Sequence, residues 1–262
     1  MPFHSIDGAQ IHVDAHGTGA PLLFIHGLGS SGRDWEPQVP YFSARYQTLT
    51  CDLRGHGRSS RPPGPYSIEQ FARDVLVVLR QRDALPAHVV GLSMGGMVAL
   101  ELAAHNPERL RSLTVVNSSV DVRLQTWRDV WFYVTRRVAV QILGMERVGQ
   151  LIAQRLFPNN ARLQQTFVER WRWNDKAAYL HSVDAIMGWS VADRLPRITV
   201  PTLMVSAEHD YTPVAAKNRA VAHLPNAELA VVEGTRHALP AERPDAFNAL
   251  LEDFLTRVSP RF

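Results

Sequence analysis

The sequence predicts an α/β fold whose sheet-building segments are interrupted by a block of helices, and three observations carry that prediction. Short apolar runs of strand length recur, each ending in a polar or glycine-rich loop. One of them, 87–90, passes through Gly91-Leu92-Ser93-Met94-Gly95 directly into a helical pattern over 96–103. Between Asp121 and Arg194 the apolar spacing turns helical and dense in aromatic and arginine side chains, and strand-like runs return only near Ile198. The chain therefore divides into a core, residues 1–120 and 195–262, and a helical cap or lid, residues 121–194.

Taken in order, residues 1–8 read as the first strand of a hairpin whose second strand covers 10–15. The run 21–25 is a strand leading into His26-Gly27-Leu28-Gly29. Strand 46–50 ends at Cys51 and gives way to Asp52-Leu53-Arg54-Gly55-His56-Gly57-Arg58-Ser59, where glycines and charges favour a turn. After the strand 87–90 and its helix comes the strand 113–116, ending in Asn117. Within the lid, amphipathic helices are expected over 124–143, 146–156, 161–173 and 176–189, broken near Gly144, Pro158-Asn159-Asn160 and Asn174-Asp175. Strand 202–207 runs into Glu208-His209-Asp210-Tyr211-Thr212-Pro213 and a further helix. The last strand, 228–233, runs into Gly234-Thr235-Arg236-His237-Ala238-Leu239-Pro240.

Composition agrees with one enzyme-sized unit. With 262 residues, 45% of them apolar, the chain can bury a substantial core. Its start lacks the basic-then-apolar order of a signal peptide, and no run is long and apolar enough to span a bilayer. A single cysteine, Cys51, can form no internal disulfide, which fits a reducing cytoplasm and a buried structural thiol. The net charge of +3 comes from scattered arginines, which argues against a nucleic-acid footprint. Paired cysteines, His-Glu-x-x-His and acidic clusters at ligand spacing are missing, so metal-free chemistry is expected. Gly27-Leu28-Gly29 lacks the third glycine and acidic partner of a dinucleotide site, and no cofactor is implied.

Ser93 sits where a strand turns sharply into a helix, a strained position that only small neighbours permit. Its hydroxyl is expected to project clear of the sheet beside the positive end of that helix. A serine alcohol is a poor nucleophile at neutral pH and needs a histidine base oriented by a carboxylate. His237 is the base and Asp210 the acid, each on a loop just past a strand, at the sheet edge where ligand sites gather in parallel sheets. Glu208 is the second choice for the acid, and Asp121 a more distant one. His26 and His56 are read as scaffold, holding their loops through hydrogen bonds.

With the serine elbow, His26-Gly27-Leu28-Gly29, the loop 52–59, Asp210 in its turn and the Gly-x-x-His ending at His237, the chain resembles the α/β-hydrolase family over nearly its whole length. The stretch from Asp52 to Leu100 looks most like the group that holds 3-oxoadipate enol-lactonase and small carboxylesterases. That resemblance implies a mostly parallel twisted sheet flanked by helices, with a lid inserted between core strands. It further implies an oxyanion hole made by the backbone amides of Leu28 and Met94, with both side chains lining the pocket. The expected activity is hydrolysis of a small-molecule carboxylic ester or lactone through an acyl-enzyme. The alternatives are carbon–carbon bond hydrolysis of ring-cleavage products, perhydrolase or haloperoxidase-type activity, and a ligand-sensing role with little turnover. In the lid, Trp131 and Trp171 are candidates for the pocket ceiling. Arginines such as Arg123, Arg128 and Arg136 are expected to reach solvent, although one turned inward would clamp a substrate carboxylate.

Overall fold

Asp7 and Gly8 both adopt positive φ (45° and 78°), the backbone a tight hairpin demands. In the computed structural model, which describes residues 2–259, they join β1 (Phe3–Ile6) to β2 (Ala9–His16), with Phe3 opposite His12 and Ile6 opposite Ala9. Met1 of the expected first strand, residues 260–262 and the side chain of Arg128 lie outside that description.

The remaining strands are β3 (Ala20–Ile25), β4 (Tyr46–Asp52), β5 (Ala87–Leu92), β6 (Leu110–Val116), β7 (Thr202–Ala207) and β8 (Ala227–Val232). They form one eight-stranded sheet in the order β1-β2-β4-β3-β5-β6-β7-β8, antiparallel at β1-β2 and β2-β4 and parallel elsewhere. All six residues of β5 are buried, as expected of a central strand covered on both faces. Cys51 lies inside β4, one residue before its end, fully buried, and burial pushes its thiol well up.

The helices are α1 (Val39–Phe42), α2 (Ile68–Gln81), α3 (Met94–His105), α4 (Trp127–Leu156), α5 (Ala161–Trp171), α6 (Lys176–Ile186), α7 (Val214–Val221), α8 (Leu239–Glu242) and α9 (Pro244–Val258). One face of the sheet packs on α2, α3 and α7 through residues such as Phe71, Val75, Val98 and Ala220. The other packs on α1, the short turn before it and α9 through Trp35, Phe42, Phe247, Leu251 and Phe254. A bidentate pair, Arg54 to Asp74 at 2.6 Å through each oxygen, is buried beneath the loop after β4 and ties it to α2.

No strand among the described residues lies between β6 and β7, and α4, α5 and α6 occupy that interval. The first two expected helices are merged into α4, which bends at Gly144 (φ 73°, ψ 172°), where a helical interruption was expected. Helix α5 stops at Trp171 and α6 at Ile186, each a few residues short of the expected ends. Thr126 and Asp129 cap α4 reciprocally.

His88 in β5 is buried against Ser112 Oγ (2.7 Å), and burial, with the charge of Arg111, pulls its imidazole down to about 4. Below the ordinary histidine value near 6.5, the unfolded chain takes up a proton that this site refuses, so its contribution is present above about 6.5 and is lost as pH falls toward 4. Between pH 8 and pH 5, urea unfolding of the native protein is expected to lose about 2 kcal/mol more than that of His88→Gln. Equal losses in the two proteins would refute this account.

Candidate active site

Ser93 has φ 55° and ψ −115°, a conformation an L-residue adopts only when its surroundings impose it. Those surroundings are tight. A Cβ added at Gly91 would lie 2.2 Å from the carbonyl oxygen of Gly95, and one at Gly95 would lie 2.4 Å from that of Ile25. The two glycines therefore let α3 press against β5 and the end of β3, which explains their spacing about the serine. The Ser93 amide donates to Val116 O (2.9 Å), and its carbonyl accepts from the Ser118 hydroxyl (2.7 Å). Its own side chain lines a cavity at the carboxyl edge of the sheet, at the N-terminus of α3.

Asp210, beyond the end of β7, and His237, beyond β8, meet at that edge, with His237 Nδ1 2.5 Å from Asp210 Oδ1. The Asp210 side chain is only 1% exposed, whereas that of His237 is 16% exposed and lines the same cavity as Ser93. With Nδ1–H donating to the carboxylate, Nε2 is the ring nitrogen left to accept a proton. No hydrogen bond joins it to the Ser93 hydroxyl, so the expected relay is closed between acid and base and open between base and alcohol. Catalytic hydrogen bonds commonly tighten only with substrate in place.

The other acid candidates are engaged elsewhere. Glu208 accepts from the Gly234 amide (2.8 Å), and Asp121 accepts from Arg123. Asn117, whose amide cannot carry charge, accepts from the Ala207 amide (2.7 Å) and donates to the carbonyl of His237 (2.8 Å). It thus anchors the histidine loop to the sheet. His26 accepts from the Leu53 amide through Nε2 (3.0 Å) and donates through Nδ1 to Gly27 O (2.7 Å), which bears out its scaffold reading. His56 bonds the Arg54 carbonyl (3.0 Å).

Lys217 of α7 was not singled out from the sequence. It is 2% exposed, and its ammonium donates to Asp210 Oδ2 (2.5 Å), Ser206 Oγ (2.9 Å) and Thr212 O (3.0 Å), so all three of its donors are used inside the protein. Burial pushes the Asp210 carboxyl up, but His237 and then Lys217 outweigh it and hold the group below the usual carboxylate range. Burial in turn pulls the Lys217 ammonium below its ordinary value, against the attraction of Asp210. Tyr211 stacks on the His237 imidazole, with ring centroids 4.4 Å apart and planes at 28°.

Neither the Leu28 nor the Met94 amide donates to a protein acceptor among the described residues, which leaves both N–H groups open. Their side chains part company. Leu28 lines the cavity as expected, but Met94 is wholly buried in the core beneath the elbow, because the first turn of α3 faces the sheet. The cavity measures about 1380 Å³ and is roofed in part by α4 and α5. Trp171 lines it, stacks on Phe167 (centroids 5.1 Å apart) and lies so close to Gly29 that an added Cβ there would sit 2.6 Å from its ring. Trp131 does not line it. That ring is 65% exposed on α4, so the expectation that it forms the ceiling is wrong: α4 turns Thr135, Arg136 and Ala139 inward instead. Among the described residues, no group of three or more His, Cys, Asp or Glu side chains could hold a metal ion, and no helix is long and apolar enough to cross a membrane.

An open parallel sheet carrying a serine elbow, with an aspartate–histidine pair at its carboxyl edge, defines a class of hydrolytic enzyme. Residues 20–244 match the alpha/beta hydrolase fold family, and the chain belongs to it. It is 32% identical over 264 residues to "Putative carbamate hydrolase RutD" of Azorhizobium caulinodans, covering 97% of this chain and 98% of that protein. To 3-oxoadipate enol-lactonase 2 of Acinetobacter baylyi it is 31% identical over 243 residues, covering 90% and 88%. The crystal structure of the enol-lactonase from Burkholderia xenovorans superposes with a TM-score of 0.89 at 27% identity, covering 97% of this chain and all of that one. The likeness to the enol-lactonase group read from the sequence is thus borne out.

Proposed function

We propose that the chain is a serine hydrolase of small carboxylic esters or lactones, working through Ser93, His237 and Asp210. The observation that carries this reading is the 2.5 Å bond between His237 Nδ1 and Asp210 Oδ1 in the cavity that the Ser93 side chain lines. In this mechanism His237 Nε2 takes the Ser93 proton as Oγ attacks the carbonyl, and Asp210 stabilises the imidazolium. The oxyanion is held by the Leu28 and Met94 amides. His237 then protonates the leaving alcohol, and afterwards activates water to release the acid and free Ser93. Residues 121–194 act as the lid, and Trp171 and Leu28 shape the acyl pocket. A buried lone thiol fits a cytoplasmic setting.

A second reading, cleavage of a carbamate, is favoured by the name of the Azorhizobium caulinodans relative and uses the same residues. Purified protein is expected to turn over members of a panel of acyl esters, lactones and carbamates, with Ser93→Ala as the blank. The preferred class is the ester or lactone. A panel on which native protein and blank behave alike would end the proposal, and preference for the carbamates would favour the second reading.

A further inference from the structure

Lys217 takes no part in the steps proposed above, yet it holds the end of Asp210 that His237 leaves free. The two carboxylate oxygens are divided between cations: Oδ1 meets the imidazole at 2.5 Å and Oδ2 the ammonium at 2.5 Å. Helix α7 carries that ammonium, Ser206 Oγ of β7 accepts from it at 2.9 Å, and the Thr212 carbonyl, two residues beyond Asp210, accepts at 3.0 Å. Ser206 is wholly buried and gives its own hydroxyl proton to the Ala207 carbonyl (3.0 Å), so Lys217 is anchored to the sheet and not to solvent. It does not line the cavity and so does not touch substrate. Burying an ammonium is costly, and an apolar side chain would fill the same space without that cost, so stability alone gives no reason for a charge here. Among the described residues, the other charged groups around the pair are spent or in solvent. Glu208 and His209 stand half-exposed, 3.8 Å apart, and Glu242 of α8 accepts from the Arg236 amide. Of the arginines on α4, Arg155 rests on the Tyr211 ring and Arg136 donates to the Tyr179 hydroxyl.

We propose that Lys217 is a positioning residue for the hydrolysis: it pins the Asp210 carboxylate to β7 and, by offsetting part of its charge, weakens its grip on the imidazolium, which extends activity to lower pH than the aspartate–histidine pair alone would allow. This rests on the hydrolase reading above. A base already protonated cannot take the Ser93 proton, so whatever favours the imidazolium in the free enzyme narrows the active range from the acid side. A second cation across the carboxylate disfavours the imidazolium and widens that range. At a spacing of one carboxylate and an effective dielectric of about 20, two unit charges move each other's titration by about one to two pH units. The anchor acts on geometry as well. With Oδ2 tied to Lys217, the carboxylate cannot rotate away from Nδ1.

Lys217→Gln removes the charge and keeps a donor, whereas Lys217→Arg keeps the charge. Steady-state kinetics on phenyl acetate between about pH 5 and pH 9 reads the acid limb of kcat/KM, which reports the base of the free enzyme. In Lys217→Gln that limb should move up by about one to two units, and the plateau kcat should fall by up to about tenfold with KM unchanged. Lys217→Arg should keep the native limb. An acid limb that stays in place in Lys217→Gln, whatever happens to Tm, overturns the proposal and leaves Lys217 a purely structural anchor. Should Lys217→Gln not fold, nitrogen-15 NMR of the native protein decides: an ammonium charged throughout the active range supports the proposal, and a neutral amine there overturns it. If phenyl acetate is not turned over, NMR titration of the imidazole in Ser93→Ala and in Ser93→Ala, Lys217→Gln separates the two readings. A titration that moves up when Lys217 is replaced keeps its effect on the base while the hydrolase reading fails, and one that does not move ends both.

Discussion

Ser93→Ala is expected to lower turnover by about five to six orders of magnitude while the protein stays folded. The size of the loss follows from the alcohol's role. Without Oγ no acyl-enzyme forms, and only the open amides of Leu28 and Met94 and substrate binding remain, which by themselves leave a residual of about three to four orders over water. The fold should not register the change, because the Ser93 hydroxyl makes no hydrogen bond among the described residues and its removal orphans none of their polar groups. The backbone at φ 55° is equally strained with alanine in place. Ser93→Gly, equally inactive, relieves strain of order 1–3 kcal/mol, offset in part by about 1 kcal/mol of unfolded-chain entropy, and should match or exceed the native Tm. Turnover in Ser93→Ala within tenfold of the native rate would sink the mechanism.

Asp210→Asn should reduce kcat by about four orders of magnitude, since an amide at this position presents the wrong partner to Nδ1 and stabilises the wrong imidazole tautomer. Here stability falls as well. Lys217 is buried against Asp210 Oδ2 and keeps only neutral acceptors when the carboxylate goes. Removing one member of a buried pair costs about 3–5 kcal/mol. The double variant Asp210→Asn, Lys217→Met removes the stranded charge and should recover most of that stability with none of the activity. Urea denaturation together with steady-state kinetics separates the two effects. If the single variant proves as stable as the native protein, Lys217 does not depend on Asp210 in the way its geometry demands.

The contrast between these variants marks what kind of information each residue carries. Ser93 was legible because its elbow is a local device. Gly91 and Gly95 are needed within two positions of it, and the strand before and helix after have their own periodicities. Asp210 and His237 were legible because each lies on a loop just past a strand, and parallel strands bring their carboxyl ends to one edge whatever lies between them. Lys217 could not be read in the same way. Near the start of a helix it resembles any solvent-facing lysine, and only the packing of α7 turns it under the Asp210 loop. Asn117 showed nothing of its role in the sequence because its partners, Ala207 and His237, are far away along the chain.

The lid tells the same story in terms of rotation. Helical spacing located the helices of 121–194 and the break at Gly144, yet helix periodicity leaves open which stripe of a helix faces inward when several sides are apolar. Trp131 and Trp171 were therefore equal candidates, and packing separated them, turning Trp171 into the cavity against Gly29 and leaving Trp131 in solvent. By itself, then, the amino-acid order determined the α/β class, the strand and helix sequence and the three side chains proposed for catalysis, because those depend on short-range periodicity and on loops that a parallel sheet gathers automatically. The tertiary structure alone decided the charge partner of Asp210, the tether of the His237 loop and the face each lid helix presents. These depend on where distant segments come to rest, which close packing sets and local pattern does not.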